Sequence, residues 1–136
     1  MAFLNLDVEI EYDFSLIAIS SNQKPHTLGW AINRNLDSNL SLETNYVIKT
    51  KALLKEFKKY RSDIEGFCFV LLCNKNLSQR LVAELPTVDY FVKYYPDELV
   101  YSEGELVSRL RKLKEIQAVF MIDINNLKSK QVFIFD

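Results

Sequence analysis

The sequence predicts an α+β domain: one mixed, largely antiparallel sheet of five or more strands with two helices packed on one face. Three observations carry this expectation. Apolar runs of strand length, rich in aromatic and β-branched residues, recur at 14–20, 67–73, 88–95 and 117–124. Two other segments, 25–36 and the stretch opening at Ser102, place their apolar residues at helical spacing. The chain has 136 residues and is 49% hydrophobic, which suits one globular domain spanning 1–136. A chain of this size buries about two thirds of the surface it exposes when unfolded, enough for a core without staples.

The alternation of Glu9, Ile10, Glu11 and Tyr12 reads as a polar edge strand. The run FSLIAIS at 14–20 follows. It is apolar on both faces and reads as a central strand. A helix is expected over 25–36, because Pro25 suits the first turn and Leu28, Ala31, Ile32 and Leu36 form one stripe. His26, Trp30 and Arg34 fall on a different stripe of that helix.

The stretch 39–50 contains short β-like pieces. The next, 51–60, has two readings. Leu53, Phe57 and Tyr60 have helical spacing, whereas a strand ending at Tyr60 would form a hairpin with the following segment. The run FCFVLLC at 67–73 is a buried strand. At 88–95 the sequence alternates as a half-buried strand, with Val88, Tyr90, Val92 and Tyr94 on one face and Asp89, Phe91 and Lys93 on the other.

Ser102 and Glu105 have the spacing of a capping box and open the second helix, whose stripe is Leu106, Leu110 and Leu113. Strands are expected again at 117–124 and 131–135. A helix joining neighbouring strands would make them parallel, hence a mixed sheet.

Composition excludes several function classes. With 3 Gly and 3 Pro, long linkers are not expected. A net charge of −1 opposes general nucleic-acid binding. The N-terminus is acidic and no apolar run reaches the ~20 residues of a membrane helix, so a cytoplasmic protein that neither enters a membrane nor is exported is expected. Cys68 and Cys73 are read as two buried, reduced thiols, in keeping with that compartment. Two thiols and the single His26 make no zinc site, and no Gly-rich loop or nucleophile motif exists, so no metal, cofactor or catalytic residue is assigned.

The remaining candidates each have two readings. Trp30 is either an interaction anchor or a ring that widens the buried helix face, and the burial preference of Trp favours the second. Tyr90, Phe91, Tyr94 and Tyr95 could stack RNA bases, but core packing fits the Tyr90 and Tyr94 face better. Glu84, Asp89 and Asp123 are the carboxylates placed to act as buried acids, and Asp123 reads more simply as the cap of the turn at Asn125. Arg109, Arg111, Lys112 and Lys114 complement a helix C-terminus.

The segment VAELPTVDY at 82–90 resembles the signature of a family of bacterial proteins, found mainly in Bacteroidetes, named for its motif IPExxxVDY. Glu84, Val88, Asp89 and Tyr90 match with the spacing intact, while Val82 and Ala83 replace the motif Ile and Pro. The strand 14–19, the helix LGWAINRNL with Asn33, the pair Asn74-Lys75, and Asp123 followed by 127–130 also resemble the family pattern. The resemblance implies no established activity. It implies that Glu84 and Asp89 bond backbone donors where the chain enters a strand, and that Tyr90 anchors that strand to a helix. The expected function is a non-catalytic interaction or adaptor domain with a protein partner or a second copy, Trp30 and Phe91 being the candidate contacts. The alternatives are a small enzyme or ligand-binding protein using the three carboxylates, and RNA binding through the aromatics.

Overall fold

A computed structural model describes residues 12–49 and 51–135. The elements run β1 (Ser15–Ser20), α1 (Pro25–Leu36), β2 (Ser41–Leu42), β3 (Tyr46–Lys49), β4 (Leu54–Phe57), β5 (Lys59–Ser62), β6 (Phe67–Cys73), β7 (Lys75–Asn76), β8 (Gln79–Arg80), β9 (Tyr90–Leu99), α2 (Glu103–Arg111) and β10 (Ala118–Ile122). Two 3-10 turns, Ile124–Asn126 and Lys130–Phe133, follow. The fold class is α+β, with a six-stranded sheet in the order β10-β1-β9-β6-β5-β2. The expected edge strand at 9–11 lies outside the described residues, and Tyr12 is not in a strand.

Every described pairing in the sheet is antiparallel, which corrects the expectation of a mixed sheet. Each helix does join strands that run the same way, as a crossover requires. The joined strands are not neighbours, however. β1 lies between β9 and β10, so the crossover through α2 passes over an antiparallel strand.

Both faces of the sheet are covered. On one face Ile17, Ile19, Leu71, Val92 and Tyr94 pack against Leu28, Ile32 and Leu36 of α1 and Leu106 and Leu110 of α2. On the other, Leu16, Ala18, Leu72 and Phe91 meet Phe57, Val82, Ile124 and Phe133. Residues 16 to 19 of β1 are 0% exposed, as a strand apolar on both faces demands.

This second cover explains where the sequence reading goes astray. β9 is not half-buried: Phe91 is fully buried in the second core, so it is not a surface contact. Val88 joins that same core and leaves the Tyr90 face, because the strand begins only at Tyr90. Segment 51–60 forms no helix and instead holds β4 and the start of β5. Phe57 and Tyr60 enter different cores and Leu53 stays exposed, so the helical spacing is never used. The last expected strand, 131–135, is instead a 3-10 turn. The turn, Lys130–Phe133, delivers Val132 and Phe133 to the second core; beyond it Phe135 packs there too and Ile134 stays exposed.

Ser102 caps α2 by accepting the N–H of Glu105, while the Glu105 carboxylate turns to Arg109 rather than completing the box. Among the described residues no helix is long and apolar enough to cross a membrane.

Candidate functional site

The resemblance segment is organised by one buried side chain. β6 ends at Cys73, and Asn74 follows it with 0% exposure. Its Oδ1 accepts the Val82 N–H at 2.8 Å, and its Nδ2 donates to the carbonyls of Leu85 at 3.0 Å and Val88 at 2.8 Å. Its backbone N–H donates to Asp89 and its carbonyl accepts from Leu81. Both protons of the amide are used, and the segment 81–89 is thereby wound around the end of β6.

From this winding, the matched residues reach three other parts of the chain. Glu84 accepts the backbone N–H groups of Lys128 and Ser129, each at 2.9 Å. Those donors, that of Lys128 foremost, hold its carboxyl below the ordinary carboxylate range. Asp89 Oδ2 accepts the Ser21 N–H at 2.8 Å as the chain leaves β1, while its Oδ1 forms a close ion pair with Lys75. Tyr90 donates its hydroxyl to the Gln23 carbonyl just before α1. Burial pushes that hydroxyl well above its usual pKa. Val88 is buried in the second core.

The carboxylates are not brought together as an acid–base pair. Glu84 serves the turn at 128–129, Asp89 the exit of β1, and Asp123 accepts from Asn125 N and Asn126 Nδ2 of its own turn. No two share a partner, and general acid–base work needs groups converging on one substrate. Asp89 and Tyr90 do border a shallow cleft of about 280 Å³ with Asn22, Gln23 and Lys75.

The thiols are equally unsuited to catalysis. Burial pushes Cys73 up to about 12. Cys68 is half-exposed rather than buried, correcting the expectation, and partial desolvation with the nearby Glu98, Asp63 and Glu65 raises its pKa too. Neither is a thiolate at neutral pH. Among the described residues no group of three or more His, Cys, Asp or Glu side chains is placed to hold a metal ion. Tyr90 and Tyr94 lie in the core beneath the helices, so their rings are not open for base stacking.

Two features outside the segment stand out. Lys93, midway along β9, is 3% exposed. Its Nζ donates to the Phe135 carbonyl at 2.8 Å and lies 4.0 Å from the Phe135 ring, 4.6 Å from Phe14 and 5.5 Å from Tyr95. It lines a pocket of about 220 Å³ with Arg61, Asp63, Cys68 and Glu98. The sequence signal was a lone cation in an aromatic strand, which alternation alone assigns to solvent.

The second is Trp30. It is 58% exposed, against the expectation that it widens the buried face. The guanidinium of Arg34 lies 4.3 Å from its ring centroid, one helical turn on. The reason is rotational: Leu28, Ala31, Ile32 and Leu36 already fill the core side of α1, and the His26–Trp30–Arg34 stripe points away. Among the described residues no carboxylate pairs with Arg34 or Lys24. No protein-family model, no curated protein and no solved structure matches the chain.

Proposed function

We propose that this chain is a non-catalytic interaction domain that presents the outer face of α1 to an acidic segment of a protein partner. The observation carrying the reading is Trp30, the sole tryptophan, left 58% exposed with the Arg34 guanidinium stacked on it. Trp and Arg are the residues most enriched at binding hot spots, and a stacked pair is already ordered before the partner arrives.

Charge supports an acidic partner. The helix sequence PHTLGWAINRNL contains no carboxylate, and Lys24 occupies its N-cap without making a side-chain cap. A Ser or Asp there would stabilise the helix by about 1 kcal/mol, and a cation opposes the helix dipole. Lys24, His26, Trp30 and Arg34 thus line one exposed face with an electropositive, aromatic surface. The resemblance at 82–90 supports, as part of this proposal, membership of the IPExxxVDY family, with Glu84, Asp89 and Tyr90 as architecture. A cytoplasmic setting is proposed with it, from the two free cysteines.

The test is affinity recovery of partners with the wild-type chain and with the Trp30→Ala and Arg34→Glu variants, whose thermal midpoints should match the wild type. Both variants should lose a partner that the wild type retains. Recovery of the same partner by all three would refute the reading.

A further inference from the structure

We infer that the chain forms a two-fold symmetric dimer through the outer edge of β10 and the groove of α2 beside it, the occupant being a second copy of this chain. The inference concerns a different surface from the α1 face and stands without it.

Among the described residues β10 pairs only with β1, and no described strand lies on its other edge. Natural edge strands are blunted with charges, proline or bulges. The β10 sequence AVFMI has none of these, and Phe120 and Met121 are 38% and 43% exposed on it. Arg111 donates from Nε and Nη2 to the Val119 carbonyl, which shows that Val119 points its backbone groups outward. Met121, two residues on, therefore does the same. A carbonyl oxygen has two lone pairs, so the bond arriving from α2 leaves an acceptor for a strand in the sheet plane.

Self-pairing centred on Phe120 would place Val119 opposite Met121 of the second copy, and Met121 opposite its Val119. That is an antiparallel pair with the helices of both copies on one face. The groove beside the edge fits this arrangement. It is lined by Glu103 and Gly104 at the start of α2, by Val107 and Ser108 in the middle, and by Arg111 and Lys112 at the end. Gly104 has open space where a Cβ would stand. A two-fold axis turns the second α2 antiparallel to the first. The acidic start of each helix then meets the basic end of the other, with Val107 and Ser108 nearest the axis. Isologous interfaces need this kind of self-complementarity. Lys112 has no ionic partner among the described residues.

Sedimentation equilibrium of the full chain tests this. The expected mass is twice the 15.9 kDa of one chain. Met121→Glu should give a monomer, halving the mass, with circular dichroism unchanged. Glu103→Lys and Lys112→Glu should each weaken dimerisation about tenfold, and the double variant should restore it. Trp30→Ala should leave the mass unchanged. A wild-type monomer overturns the inference, as does a dimer indifferent to Met121→Glu and to the charge reversals, or one lost in Trp30→Ala. A monomer whose Val119 and Met121 amides resist hydrogen exchange would place another segment of the same chain on this edge, and overturns it as well.

Discussion

The carboxylate of Glu84 accepts the backbone N–H of Ser129 at 2.9 Å, joining positions 45 residues apart in sequence. With the companion bond from Lys128, one side chain fixes the turn that leads into the C-terminal cover of the second core. Because those N–H groups favour the ionised form, the folded carboxyl titrates below the 4.5 of an unperturbed one. Its stabilising effect is therefore complete above about 4.5 and is lost as the pH falls through the lower folded value. Glu84→Gln should lower the thermal midpoint at neutral pH, and the gap from wild type should narrow on acidification below that point. A gap that widens in acid would show that the carboxylate is not the bonded species.

Asn74→Ala removes three side-chain hydrogen bonds and leaves the Val82 N–H and the Leu85 and Val88 carbonyls without their partner. Buried groups left in this state cost far more than the bonds are worth net. We expect a loss of about 2–4 kcal/mol in urea unfolding. Asn74→Asp should be no better, since a carboxylate has no proton for either carbonyl. A loss within experimental error would remove Asn74 from its place at the centre of the segment.

Thiol chemistry separates the two cysteines. Cys73, raised to about 12 by burial, should resist alkylation in the folded protein at pH 8. Cys68, half-exposed but flanked by acids, should react more slowly than a free thiol. Quantitative alkylation followed by mass spectrometry should find one modified site in the native state and two after denaturation. Modification of Cys73 at a rate equal to Cys68 would contradict the packing of β6 against α1.

Leu77, in the turn between β7 and β8, has φ 57° and is 94% exposed. An L-residue with a side chain of this size is disfavoured there, and Asn adopts that conformation more readily. Leu77→Asn should stabilise the fold by roughly 0.5 kcal/mol. Destabilisation would mean that the leucine makes a contact on which the turn depends.

Much of the fold is legible in the sequence because it rests on local signals. The FSLIAIS run, apolar on both faces, requires a central strand. Pro25 and the Leu28–Leu36 stripe specify α1, and Ser102 marks the start of α2. What escapes is long-range. That Val88 and Tyr90 go to opposite cores depends on Asn74, a residue with no distinguishing local pattern, drawing the segment around β6. Lys93 looks like a solvent-facing residue until Phe14, Tyr95 and Phe135 gather from three regions of the chain. The His26–Trp30–Arg34 stripe is visible in sequence, but its exposure follows from the core needing only the opposite face of α1. For Glu84, Asp89 and Tyr90 the resemblance implied bonds at the entry of the strand and a helix anchor; the partners lie elsewhere, in the turn at 128–129, at Ser21 after β1, and at Gln23 in the loop before α1.

The most direct measurement is a paired determination of stability and partner affinity for Asp89→Asn. Here the acidic and aromatic side chains of the segment bind the chain to itself, and recognition is left to the surface. The substitution should lower stability by about 1–2 kcal/mol through loss of the Lys75 ion pair and a weaker bond from Ser21. Partner affinity per folded molecule should not change. An unchanged unfolding curve with lost partner binding would make the segment the recognition site and contradict the account.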